Sequence, residues 1–76
     1  MDERKTLFAD VILPVPVHRE FTYRVPFEMN DYIREGIRVV VPFGKSKFYT
    51  AIVNKVHETV PSDYTAKYVE HILDDA

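Results

Sequence analysis

The chain has no cysteine, only two glycines and no excess of positive charge. Without cysteine, disulfides and cysteine-ligated metals are excluded, and a reduced cytosolic setting fits. Two glycines are too few for a phosphate-cradling loop, and the sequence holds neither G-x-x-x-x-G-K-[ST] nor a G-x-S-x-G elbow. No apolar run reaches the ~18 residues of a membrane span, and the charged start Met1-Asp2-Glu3-Arg4-Lys5 leads into no signal-peptide core. These absences describe a soluble, cytosolic chain that is not itself an enzyme. The formal net charge of −2 matters as well. A domain gripping a long nucleic-acid backbone carries a clear basic excess, so any nucleic acid bound here is held through few phosphates or beside a more basic neighbour.

What is present is a single small domain. At 76 residues the chain sits near the lower limit for a core without staples, and its 46% hydrophobic content argues for folding rather than disorder. Residues 1–5 read as a frayed terminus and 6–76 as one domain, a fragment of something longer because it ends just after a strand. Thr6–Leu13 alternates Leu7, Ala9, Val11, Leu13 against Phe8, Asp10, Ile12, the two-residue period of a strand. Pro14 and Pro16 then impose a stiff extended bend, and Glu20–Val25 resumes as a second strand. Phe27–Glu35 reads as a turn or one to two helical turns, stopped by Gly36. Ile37–Val41 forms a third strand closed by Pro42. Phe43–Lys47 is a turn, and Phe48–His57 a fourth strand with Tyr49, Ala51 and Val53 on one face. A polar loop from Glu58 to Ala66 precedes a last strand, Lys67–Leu73, and the acidic tail Asp74-Asp75-Ala76. The expected fold is mainly β, a small barrel or pair of packed sheets of about five short strands with one or two helical turns; α+β is the alternative.

The residues that carry chemistry are few. His18, His57 and His71 share no ligand-like spacing with one another or with carboxylates, so surface or strand-edge positions are expected and no metal or catalytic site is assigned. Gly44-Lys45-Ser46-Lys47 reads first as a hairpin turn with its lysines in water; its functional alternative is an open backbone N–H with two cations able to meet a phosphate or sugar. Phe8, Phe21, Tyr23, Phe43, Phe48 and Tyr49 divide between core and a stacking platform of the single-strand-binding kind.

Three motifs taken together carry a family resemblance: Val11-Ile12-Leu13-Pro14-Val15-Pro16, Phe21-Thr22-Tyr23-Arg24-Val25-Pro26, and Gly36-Ile37-Arg38-Val39-Val40-Val41-Pro42-Phe43-Gly44-Lys45. In order and spacing this resembles the amino-terminal domain of PriA (primosomal protein N′), the family of bacterial replication-restart DNA helicases. The stretch Lys67–Asp74 resembles that family's following lysine-led strand, so the likeness spans nearly all of residues 8–74.

The resemblance implies a module that captures the 3′ end of the nascent leading strand at a stalled fork, in a pocket for the terminal nucleotide. Carried over residue by residue, Phe21 and Thr22 form one wall, Gly44 the floor and Lys67 the other side, with Tyr23, Lys45 and Lys47 as further DNA contacts. Thr22 is a departure, since the family has an aspartate between the two aromatics; a neutral acceptor makes a weaker hydrogen bond to a sugar hydroxyl. The segment implies no cofactor of its own. ATP, zinc and unwinding belong to the longer parent, which also brings other primosome proteins and single-stranded-DNA-binding protein as partners. The setting implied is bacterial and cytoplasmic, with no membrane. From a different class, the chain reads as a protein–protein docking module or structural cap that offers an exposed strand edge.

Overall fold

The computed structural model describes residues 5–16 and 19–73. Its elements are β1 (Leu7–Ile12), β2 (Phe21–Val25), a 3-10 turn (Phe27–Met29), β3 (Arg38–Pro42), β4 (Phe48–His57) and β5 (His71–Ile72). They form one five-stranded antiparallel sheet in the order β2-β1-β4-β3-β5. The expected mainly β fold of about five strands is therefore the observed one. It is built as a single curled sheet rather than as two packed sheets or α+β.

Alternation explains the strands. Ala9 and Val11 of β1, Tyr23 and Val25 of β2, Val39 and Val41 of β3, and Ala51 and Val53 of β4 all face one buried core. Their neighbours in sequence, Ile12, Thr50 and Ile52 among them, face outward. A register shift between Asp10 and Val11 where β1 meets β4 adds the local twist that a curled sheet needs. The stretch Phe27–Glu35 is shorter in helix than its spacing allows, with a 3-10 turn of three residues. Gly36, at φ +91°, then turns the chain into β3 and donates its N–H to the Val53 carbonyl at 2.8 Å.

The last strand is where the structure departs most from the sequence. Lys67–Leu73 does not pair as one strand. Its second half, β5, pairs with β3, whereas its first half reaches the opposite edge of the sheet. There the Arg24 N–H donates to the Lys67 carbonyl at 2.8 Å and the Val69 N–H to the Arg24 carbonyl at 2.9 Å, with Tyr68 bridging Arg24 in parallel. One short segment thus joins both edges and curls the sheet into a barrel. Val69, 2% exposed, plugs the seam. No helix among the described residues is long and apolar enough to cross a membrane. His18, most of the expected frayed terminus and the acidic tail lie outside the described residues.

Candidate nucleic-acid interface

The mouth of the barrel holds a cleft of about 210 Å³, where the start of β2, the β3–β4 turn and the segment before β5 converge. Strand parity sends Phe21 and Tyr23 to the same side of β2, and both line it. Phe43 and Gly44 enter from the turn; Tyr64 and Lys67 enter from the closing segment. Four expected residues, Phe21, Tyr23, Gly44 and Lys67, are therefore gathered at one place from three separate parts of the chain.

The walls are held by specific contacts. The Tyr23 hydroxyl donates to the Pro42 carbonyl at 2.6 Å, tying β2 to the end of β3 across the mouth. Burial, together with the nearby Tyr64, pushes the Tyr23 phenol up to about 12. Phe21 meets Phe43 edge to face with ring centroids 4.9 Å apart, and Phe43 meets Tyr49 in the same manner at 6.0 Å. The Arg19 guanidinium lies 4.9 Å from the centre of the Phe21 ring. Gly44 adopts φ +71°, a left-handed conformation that favours glycine, and a Cβ built there meets nothing within 4 Å. The glycine requirement comes from the turn, and the space above it is open. Lys45 and Lys47 are exposed on the same turn but do not line the cleft.

Thr22 is placed differently from its neighbours. Parity turns its side chain to the outer face, where the hydroxyl donates to Asp10 at 2.6 Å. Asp10 is its direct partner across the β1–β2 ladder. The same carboxylate oxygen lies 2.8 Å from His57 Nε2. Burial alone would raise the Asp10 carboxyl. The hydrogen bonds of Thr22 and His57, with the charges of His57 and Lys55, outweigh it and hold the group below its usual 3.8. His57, the last residue of β4, also stacks on Phe8; where a surface or strand-edge histidine was expected, it is partly buried and partnered. His71 is exposed on β5, at the sheet edge.

What Thr22 offers the barrel mouth is its backbone. Its N–H donates to the Tyr64 hydroxyl at 2.9 Å, and that hydroxyl lies 3.4 Å from the Thr22 carbonyl. Tyr64 and its neighbour Thr65 are the site residues that sequence reasoning missed. The available signal was an aromatic three residues before Lys67 in an otherwise polar loop. These contacts also occupy the outer edge of β2 at Thr22 and Arg24. That part of the β2 edge is therefore not an unpaired ladder open to a docking strand. No group of three or more metal-ligating side chains occurs among the described residues.

Residues 10–76 match the family model of the PriA 3′ DNA-binding domain. The chain belongs to that family. Over 70 aligned residues it is 34% identical to the replication restart protein PriA of Bacillus subtilis (strain 168). The match covers 88% of this chain and 9% of that protein, so the chain spans a small part of the length of the relative it matches. Membership in the PriA 3′ DNA-binding family gives the domain DNA binding as its activity. The cleft suits that activity, because it combines rings, a lysine and backbone polar groups, and no carboxylate among the described residues lines it.

Proposed function

We propose that the domain captures the free 3′ end of a DNA strand, that of the nascent leading strand at a stalled fork, for a longer replication-restart protein. The observation that carries this reading is the size and make-up of the cleft at the barrel mouth. At about 210 Å³ it falls below the ~300–1,000 Å³ of ordinary small-molecule sites. A cleft of that size suits the end of a strand, a base or sugar with its phosphate outside, whereas tracking a strand needs a long basic groove. A chain of net charge −2 can serve such a site because a single terminal unit brings few phosphates.

On this reading Lys67 pairs with the terminal nucleotide's phosphate, Phe21 lies against the base and Gly44 lets ligand and backbone approach closely. Thr22 meets the sugar hydroxyl. Because its side chain is engaged by Asp10, it acts through the N–H and carbonyl now held by Tyr64. A terminal 3′-hydroxyl both accepts and donates, as that phenol does, and can take the same two partners. Tyr23, Lys45 and Lys47 support the site from the wall and the turn. Unwinding, with its ATP and zinc, belongs to the parent, as do contacts with other primosome proteins and single-stranded-DNA-binding protein.

The test is fluorescence anisotropy against one short single strand ending in either a 3′-hydroxyl or a 3′-phosphate. Preference for the hydroxyl form, reduced about tenfold or more in Lys67→Ala, is the expected result. Equal binding of both forms overturns end capture and leaves a general single-strand binder.

A further inference from the structure

The loop from Glu58 to Ala66 has a cleft on each side. Behind Tyr64 and Thr65, which line both clefts, lies a second hollow of about 470 Å³ on the outer face of β1 and β2. Phe8, 4% exposed, contributes its ring, Arg24 stands directly across the ladder from it, and Val60 and Ser62 come from the loop. The hollow has its own cation and its own apolar surface, and only the Tyr64–Thr65 ridge separates it from the barrel mouth.

Arg24 is the informative residue. Its guanidinium lies 5.3 Å from the centre of the Tyr68 ring and 5.9 Å from that of Phe27. It makes no ion pair with any described residue. Acids outnumber bases in this chain, 12 to 10, yet no carboxylate among the described residues lines either cleft. Two rings hold the guanidinium in position by cation–π contact and leave its N–H groups for an anion. Its backbone N–H and carbonyl are separately committed to Lys67 and Val69, so the side chain is not needed for that seam.

We propose that this second cleft is a subsite for the nucleotide preceding the 3′ terminus, with Arg24 bonded to the phosphodiester on that nucleotide's own 5′ side, one step further from the 3′ end than the phosphate paired with Lys67. The inference rests on the end-capture reading and extends it. The strand leaves the barrel mouth over Tyr64 and Thr65, and its next base lies in the hollow against Phe8 and Val60. Arginine suits that phosphodiester because its planar fork can donate to two non-bridging oxygens together.

The experiment compares thymidine 5′-monophosphate, which fills only the terminal cleft, with a 3′-hydroxyl oligothymidylate of five nucleotides, by competition and direct anisotropy. Arg24→Gln is expected to weaken the oligonucleotide about five- to tenfold, to leave the mononucleotide unchanged, and to lower the slope of log affinity against log salt by about 0.7. Equal loss for both ligands, or no loss for the oligonucleotide, overturns the subsite. The unmodified protein gives a second readout that no folding defect can imitate. 4-Thiothymidine at the penultimate position should photocrosslink to residues 60–66; crosslinking confined to the β3–β4 turn overturns the proposal. Failure of end capture appears separately, as loss of the distinction between 3′-hydroxyl and 3′-phosphate ends with the Arg24 effect retained.

Discussion

The hydroxyl of Tyr64 accepts a hydrogen bond from the backbone N–H of Thr22 at 2.9 Å, across 42 residues of sequence. It pins a polar loop to the edge strand and places a phenol where a sugar hydroxyl is proposed to bind.

Tyr64→Phe removes the phenol and keeps the ring. Losing one hydrogen bond of this kind should lower stability by about 0.5–1.5 kcal/mol, read by urea unfolding. It also frees the Thr22 N–H, so 3′-hydroxyl DNA should bind more tightly, by up to about tenfold, or about 1.4 kcal/mol. Weaker binding in anisotropy would assign the hydroxyl a direct contact with DNA instead.

Asp10 should make the domain sensitive to acid. Its carboxyl titrates below 3.8 when folded, so its stabilising contribution is complete above the unfolded value and is lost as pH falls through the folded one. Thermal melts from pH 7 to pH 3 should show stability declining below about pH 4. Asp10→Asn should be less stable at pH 7 and should flatten that decline. A variant with the parental acid profile would show that other carboxylates set it.

Tyr23 has the opposite sign. With its phenol raised to about 12 from 10.0, its contribution is complete below pH 10 and is lost as pH rises through the folded value. Tyr23→Phe deletes the bond to the Pro42 carbonyl. Denaturant unfolding at neutral pH should show a loss of about 1 kcal/mol, together with a smaller further loss between pH 10 and 11.5 than the parent shows.

Gly44→Ala separates backbone from space. A Cβ meets nothing within 4 Å, yet φ is +71°, so the substitution should cost about 1–2 kcal/mol through the left-handed conformation alone. DNA affinity, measured under conditions where the variant is fully folded, should fall as well, because the methyl occupies open space in the cleft. Unchanged affinity would show that DNA does not approach the turn.

Much of the barrel is legible in single stretches of sequence. The run Phe48–His57 states its own strand and its buried face, and Val39 and Val41 state theirs, because a two-residue period needs no distant information. The paired prolines and the glycines at 36 and 44 mark where strands stop, since proline and glycine act on φ directly. Phe21, Tyr23, Gly44 and Lys67 were identifiable through the family's motif, and the fold brings them to one cleft. That motif assigns Thr22 to the same wall, while alternation alone sends its side chain to the other face.

The sequence by itself thus determined β1 to β4, their inward faces and the turn between β3 and β4, which depend on steric and hydrophobic preferences acting within a few residues. Only the tertiary structure decided that Lys67–Leu73 joins both sheet edges, that Tyr64 closes over Thr22, and that His57 meets Asp10 47 positions away. Those contacts form between backbone groups and side chains whose proximity exists only once the sheet has curled, and no local pattern encodes it.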